Sequence, residues 1–129
     1  MINDPIIDLP IVDPAGNITH LDQVVQDGFV FILSPDCEAC QSTVDTINTR
    51  FKGIPSIVLV VGETSIPGLN NQNFEYFNVS MDALLPFQIT TLPACLAYAN
   101  GKLAVAFHGN IERVSDLLTR AYYRKKAAP

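Results

Sequence analysis

The sequence predicts a single α/β domain, residues 1–129, in which a parallel β-α-β unit is joined to β-hairpins. Two continuous apolar runs, Phe29–Leu33 and Ser56–Val61, enclose a segment with helical spacing, and such runs are typical of strands covered on both faces. Asn100-Gly101 lies between two further strand-like runs, which is the pattern of a tight hairpin. With 129 residues, 48% of them hydrophobic and only 16% charged, the chain is long and apolar enough to bury a core.

The elements before the first apolar run are short. A turn signal over residues 13–17, Asp-Pro-Ala-Gly-Asn, predicts a small hairpin between residues 11–12 and 18–19. The apolar positions of residues 21–25 predict one short helix, which we expect Gly28 to end.

The central unit follows. Val44, Ile47 and Phe51 recur at helical spacing and predict a helix that stops before Gly53. The run at 56–61 should form a strand parallel to the first one, because a β-α-β crossover is nearly always right-handed and returns the chain beside its start.

The second half predicts a loop, a strand, a short helix, a hairpin and a final helix. Residues 62–73 lack a hydrophobic period and should be an exposed loop, whereas Phe74–Val79 predicts a strand. Ser80 can cap a helix that Pro86 limits to about two turns. The hairpin strands are predicted at 94–99 and 102–107. The apolar face of the final helix comprises Ile111, Val114, Leu117, Leu118, Ala121 and Tyr122.

Two cysteines stand where the first apolar strand gives way to the helix, in the sequence Cys37-Glu38-Ala39-Cys40. A thiol in the first helical turn lies near unpaired backbone N–H groups and the positive end of the helix dipole, and both favour the thiolate. Two intervening residues let one turn bring the sulfurs within bonding distance. We expect Cys37 to be the better exposed of the two, so it is the candidate nucleophile. Cys40 lies one turn further into the helix and is the candidate resolving thiol.

Other interpretations of this cysteine pair stay open. It could supply two of four zinc ligands, but Cys95 with His20 or His108 would have to complete the site, and their spacing resembles no zinc knuckle. It could be a purely structural disulfide, although a short ring at a helix start is a poor staple. It could also be redox-inactive on a binding module.

Charge and composition limit the partners. The formal net charge is −5, and an acidic surface argues against nucleic acid, which requires clustered Lys and Arg. The run Arg124–Lys126 is better explained as complementing a helix dipole. No apolar run is long enough to span a membrane, and no secretion signal is visible, so we expect a cell-envelope location only if a leader or anchor was removed, and otherwise the cytoplasm.

These features together resemble the thioredoxin superfamily. The resemblance covers about residues 29–122 and rests on Cys37-x-x-Cys40, Thr91-Leu92-Pro93-Ala94, and the Asn100-Gly101-Lys102 hairpin. It implies a three-layer fold with a mixed sheet and helices on both faces. The turn at 13–17 resembles the N-terminal extension of the TlpA-like and ResA-like branch, so residues 1–28 are assigned to that extension and residues 62–79 to a short insertion.

The resemblance also implies roles for individual residues. Cys37 would attack, Cys40 would resolve, and Pro93 would be a cis-proline beside the disulfide. The backbone of Leu92 would bind an extended substrate, with Gly109 keeping the opposite wall low, and Asp36 and Glu38 are assigned to the substrate-binding site with them. The implied activity is thiol–disulfide exchange without metal, nucleotide or flavin, on a disulfide-bearing protein, with an upstream thiol donor. Nothing in the sequence demands more than a monomer.

Departures from the family pattern are informative. Asp36 stands where the family usually has tryptophan, and Phe31 where thioredoxin has a buried aspartate. Asp36 and Glu38 flank Cys37 with negative charge, which disfavours its thiolate and opposes the helix-end effect. We therefore expect a protein at the reducing end of the family. Cys95 is interpreted as a small buried hydrophobe, with a third redox thiol as the alternative.

The sequence thus predicts a reductase of protein disulfides. A peroxiredoxin-like thiol peroxidase is the first alternative, because Ser34 places a hydroxyl three residues before Cys37, although Val30 stands where that family has a proline. The second alternative is a redox-inert binding module with a thioredoxin fold.

Overall fold

A computed structural model describes residues 1–63, 65–69 and 74–128. Within these residues, seven strands form one mixed sheet in the order β2-β1-β5-β4-β3-β6-β7. The strands are β1 Pro10–Val12, β2 Ile18–His20, β3 Gly28–Leu33, β4 Ser56–Val61, β5 Glu75–Val79, β6 Ala94–Ala99 and β7 Lys102–His108. β3, β4 and β5 are mutually parallel, whereas the two hairpins, β1–β2 and β6–β7, are antiparallel. The predicted strands and their pairing are confirmed.

Four α-helices connect or follow the strands in the described part of the chain: α1 Leu21–Val24, α2 Glu38–Arg50, α3 Met81–Leu84 and α4 Ser115–Ala127. Ser80 caps α3, since its Oγ accepts the Ala83 N–H at 3.1 Å, as the sequence predicts. Pro86 lies in a 3₁₀ turn, Leu85–Phe87, that extends this short helix. None of the described helices is both long and apolar enough to cross a membrane.

The sheet has a hydrophobic cluster on each face because β3 is buried on both. Phe29, Phe31 and Leu33 point into cluster 1, which α2 and α4 cover. Val30 and Ile32 point into cluster 2, which α1 and α3 cover. Alternate residues of a strand face opposite sides, so one continuous apolar run supplies both layers. The structure confirms the predicted α/β fold with helices on both faces.

Aromatic rings fill one part of cluster 1, around Phe29 and Phe31. The ring of Phe51 lies 4.9 Å from that of Phe29 and 5.0 Å from that of Phe31, both in edge-on arrangements. Tyr122 of α4 joins them at 5.4 Å from Phe29. Phe31 is fully buried, so its position on β3 is an apolar packing site.

The local predictions for Gly28 and Leu117 are wrong. Gly28 does not end a helix: α1 ends at Val24, and Gly28 begins β3 with φ +124°. A Cβ there would overlap the Pro55 carbonyl, so packing against a distant turn explains this glycine.

The other wrong prediction concerns the last helix. Leu117 is 62% exposed, although the apolar period placed it on the buried face. The chain forms a 3₁₀ turn over Glu112–Val114 before α4 begins at Ser115, which shifts the phase of the helix. Leu118 and Tyr122 then become the buried positions of α4.

The predicted loop at 62–73 lies partly outside the described residues. Its described parts are residues 62–63 and 65–69, and residues 65–69 pack along α2: Gln41 Nε2 donates to the Pro67 carbonyl at 3.2 Å, and Asn48 Nδ2 donates to the Gly68 carbonyl at 3.1 Å. The prediction of an exposed loop is wrong at Ile66, which is buried in cluster 1, so this segment is anchored to the helix that follows the cysteine pair.

Candidate active site

The cysteine pair lies at the junction of β3 and α2. β3 ends at Leu33, and α2 begins at Glu38 with Cys37 as its N-cap residue. Cys37 and Cys40 form a disulfide, with their Cα atoms 5.1 Å apart. The predicted order of strand, turn and helix is confirmed, and both sulfurs lie at the positive end of a 13-residue helix.

The two sulfurs have different surroundings. Cys40 is 1% exposed and belongs to cluster 1, whereas Cys37 is half-buried at the edge of that cluster. The Ser34 backbone N–H lies 3.4 Å from Cys40 Sγ and donates to it. Cys37 is therefore the sulfur that another molecule can reach, and Cys40 the one held by the protein. Sequence reasoning missed this contribution of the Ser34 main chain.

The opposite wall of the site comes from two segments distant in sequence. The Leu92–Pro93 peptide bond is cis and directly precedes β6. Ala94 is the partner of Ile32 on β3, which places Pro93 level with the end of β3, where the cysteine turn begins. The Gly109 N–H donates to the Pro93 carbonyl at 2.8 Å, so the segment after β7 lies beside the proline.

Main-chain groups beside the proline are open. Among the described residues, neither the N–H nor the carbonyl of Leu92 has a hydrogen-bond partner. The side chain of Leu92 is half-buried and contacts both hydrophobic clusters. His108 lies on the other side of this segment, with Nδ1 3.4 Å from the Thr91 carbonyl. A strand-like ligand could pair with the free Leu92 backbone in the way that an added β-strand does.

Two carboxylates stand on either side of Cys37. Asp36 and Glu38 are both exposed, and no ion pair formed by described residues includes either of them. The Asp36 N–H donates to Ser34 Oγ at 3.3 Å, which fixes the turn. Glu38 is the first residue of α2, where a negative charge is favoured by the helix dipole.

Two of the remaining candidate zinc ligands, Cys95 and His20, lie away from the cysteine pair. Cys95 is 1% exposed on β6, opposite Phe31, and burial raises the pKa of its thiol far above the ordinary value. Such a thiol stays protonated and packs as a small apolar group. His20 lies in a different part of the molecule and contacts Asp8: its Nδ1 lies 2.6 Å from Asp8 Oδ1.

The fold and the site together define a class: an α/β protein of thioredoxin-like fold, with a Cys-x-x-Cys disulfide at the start of the helix after the central strand. No family model matches the sequence, and no curated protein matches it significantly.

Solved structures do match. The chain is similar to a candidate thiol:disulfide interchange protein DsbE from Chlorobium tepidum, with a TM-score of 0.74 and 11% identity over 98% of this chain and 99% of that one. It is also similar to a thio-disulfide isomerase from Thermus thermophilus, with a TM-score of 0.66 and 17% identity over 94% and 96% of the two chains. A third match is the peroxidoxin BcpB from Mycobacterium tuberculosis, with a TM-score of 0.59 and 11% identity over 95% and 96%. The thioredoxin-like fold that the sequence resemblance implies is confirmed.

Proposed function

We propose that the protein is a thiol–disulfide oxidoreductase that reduces disulfides in other proteins through Cys37 and Cys40. The observation that carries this proposal is the difference between the two sulfurs: Cys37 is reachable, and Cys40 is buried next to it at the start of α2. The open Leu92 backbone and the nearby Pro93 and Gly109 supply a place for the polypeptide that bears the substrate disulfide.

The reaction begins with the reduced protein. The Cys37 thiolate attacks one sulfur of the substrate disulfide, whose S–S bond breaks, and the other substrate sulfur leaves and takes a proton from water. Cys40 loses its proton to water and attacks Cys37 Sγ, which releases the second substrate thiol and forms the Cys37–Cys40 disulfide. Two electrons pass from the protein to the substrate, and an external thiol donor returns them. These steps need no metal, nucleotide or flavin.

The structure also suggests what each flanking group does. The Ser34 N–H, which donates to Cys40 Sγ in the disulfide, would stabilise the Cys40 thiolate at the moment of attack. The N-terminus of α2 would stabilise the Cys37 thiolate, and the charges of Asp36 and Glu38 would oppose it. The balance should leave the protein a reductant, because a less stable thiolate favours the disulfide form.

Reduction of insulin by dithiothreitol, followed as turbidity, tests the activity. Cys37→Ser should abolish the acceleration, and Cys40→Ser should accumulate a mixed disulfide with the substrate that mass spectrometry detects. Cys95→Ala is the matched control, since it also removes one thiol, and it should retain the activity. Wild-type protein without any acceleration, or equal loss in all three variants, would overturn the proposal.

The direction of electron flow needs a second measurement. The Cys37–Cys40 pair is equilibrated with dithiothreitol or glutathione buffers, and the reduced fraction is counted by mass after alkylation. A single two-electron transition below about −200 mV supports a reductase, whereas a value near about −120 mV indicates an oxidant. The absence of a reversible transition, or zinc bound to the purified protein, would leave a binding or metal-site role.

A thiol peroxidase is the second candidate function. The Ser34 hydroxyl, three residues before Cys37, accepts the Asp36 N–H at 3.3 Å, and its own O–H remains able to donate to a peroxide. The similarity to the peroxidoxin BcpB extends to the fold only. Consumption of hydrogen peroxide with dithiothreitol as reductant distinguishes the two functions, and a Ser34→Ala variant should slow that consumption only if the hydroxyl assists peroxide reduction.

A further inference from the structure

The end of the sheet that carries the disulfide is acidic. β3, β4 and β5 are parallel and β7 runs the same way, so the carboxyl ends of all four strands lie at this end of the sheet. The segments that follow carry four exposed carboxylates, which belong to Asp36, Glu38, Glu63 and Asp82. The described stretches 34–37, 62–63, 65–69, 80–93 and 108–112 contain neither Lys nor Arg, and the exposed Arg113 is the first basic residue after β7.

Two basic residues, Lys126 and Lys102, lie at the opposite end of the sheet. Lys126 Nζ lies 2.7 Å from Asp27, which directly precedes β3, and Lys102 begins β7 at the same end. The six residues of β3 separate this end from Ser34 by about 20 Å, at roughly 3.3 Å per residue. That distance exceeds the Debye length of about 8 Å at physiological ionic strength, so Lys126 and Lys102 do not neutralise the acidic end of the sheet.

We infer that the substrate disulfide of this protein is flanked by Lys or Arg, and that Asp36 and Glu38 determine this specificity. The inference rests on the proposed thiol–disulfide exchange and names the substrate class of the same site. The two carboxylates stand on either side of the reachable sulfur, and neither is held by a cation among the described residues. A cationic substrate supplies the missing counter-charge, whereas an anionic one meets repulsion from both sides.

Simple electrostatics sets the size of the effect. Opposite charges about 7 Å apart in water change an equilibrium or an encounter rate by about threefold, and two such charges change it by about tenfold. Salt weakens the effect because both carboxylates are exposed. Attraction of a cationic substrate and repulsion of an anionic one both contribute, so the preference for a cationic over an anionic disulfide should be about fiftyfold at low salt and should nearly vanish at about 0.5 M salt.

Three small symmetrical disulfides of different charge test the inference: cystamine, a dication; bis(2-hydroxyethyl) disulfide, which is neutral; and 3,3′-dithiodipropionate, a dianion. The measured quantity is the second-order rate at which each oxidises the reduced protein at low and high salt. In the Asp36→Asn/Glu38→Gln double variant, the ratio of the cystamine rate to the dithiodipropionate rate should fall about fiftyfold. Any change in the nucleophilicity of Cys37 affects all three rates equally, so the ratio isolates charge.

A matched control removes two exposed carboxylates from other elements. The Asp22→Asn/Asp116→Asn variant changes the net charge by the same amount on α1 and α4, and it should leave the ratio within about twofold of the wild-type ratio. Peptide disulfides in which Lys or Glu flanks the cysteine should show the same preference as the small molecules.

The outcomes separate the two proposals. If none of the three disulfides oxidises the cysteine pair, the proposed function fails and the inference falls with it. If all three react, but the ratio is the same in the wild type and in both double variants, the protein is an oxidoreductase and the inference is overturned. A ratio that falls equally in both double variants would assign the preference to net charge and would likewise overturn it.

Discussion

The two ends of β3 are built for different purposes. At its beginning, Asp27 accepts the Asn100 N–H at 2.7 Å and pairs with Lys126, and Gly28 packs directly against Pro55. Past its end, the Leu92 backbone and the carboxylates near Cys37 have no partners among the described residues. Polar groups satisfied within the fold stabilise it, whereas exposed groups left open are available to another molecule. The comparison indicates that stability and reactivity are placed about 20 Å apart on the same strand.

The largest expected effect concerns Gly28 at the closed end. Gly28→Ala places a Cβ against the Pro55 carbonyl in a backbone region that L residues rarely adopt, with φ +124°. The free energy of unfolding should fall by about 3 kcal/mol or more, since backbone strain and a backbone clash add. Gly53→Ala is the control, because φ is also positive there but nothing lies within 4 Å of the new Cβ, so it should cost only about 1 kcal/mol. Equal losses in urea denaturation would contradict the predicted clash.

Gly109 is the corresponding glycine at the open end. Its φ is +118°, but the nearest atom to a new Cβ is a Phe107 ring carbon at 3.8 Å, an ordinary contact. Gly109→Ala should therefore cost about 1–2 kcal/mol from strain alone. If this residue keeps the wall of the site low, the variant should reduce insulin several-fold more slowly while reacting with a small disulfide at nearly the wild-type rate. Equal slowing of both reactions would contradict that role.

A smaller effect than that of Gly28→Ala is expected for the ion pair at the closed end. The Asn100 N–H, and then Lys126, lower the pKa of Asp27 below its ordinary value. A lowered carboxyl pKa stabilises the fold above the unfolded value of about 3.9, and this contribution disappears as the pH falls through the folded value. Asp27→Asn should therefore cost about 1–2 kcal/mol at pH 7, and the difference from the wild type should shrink below about pH 4.

Asp36→Asn is the matched carboxylate at the open end. It should change the free energy of unfolding by less than about 0.5 kcal/mol, because the side chain is exposed and forms no ion pair with described residues. If the free energy of unfolding fell in Asp27→Asn by the same amount at every pH, or fell equally in Asp36→Asn, the carboxylates at the two ends of β3 would not differ in how they stabilise the fold.

The sequence predicts most of the fold because its signals are local. The apolar runs of β3 and β4, the Asn100-Gly101 turn and the Ser80 cap all act within a few residues of where they stand. Gly28 could not be interpreted correctly from its neighbours, since its conformation depends on Pro55, which is 27 residues later in the sequence. The exposure of Leu117 was missed because a 3₁₀ turn precedes α4, and hydrophobic spacing alone does not distinguish the two helix types.

The site divides in the same way. The Cys-x-x-Cys turn is a local pattern, whereas Pro93 and Gly109 entered only through the family resemblance, being more than 50 residues from Cys37 along the chain. Their proximity to the disulfide depends on the register of β3, β6 and β7, which no local signal specifies. The Ser34 N–H contact with Cys40, and the separation of charge along β3, likewise require the assembled sheet.

Burial of Cys95 gives the molecule an internal reporter of its own opening. In the reduced protein, an alkylating reagent should modify Cys37 at once and the buried Cys40 more slowly, whereas Cys95 is shielded within the sheet and held as a thiol. Its labelling therefore requires β6 to separate from its neighbours. The rate at which Cys95 is alkylated, followed by mass spectrometry, measures how often the sheet opens at β6, without any added probe.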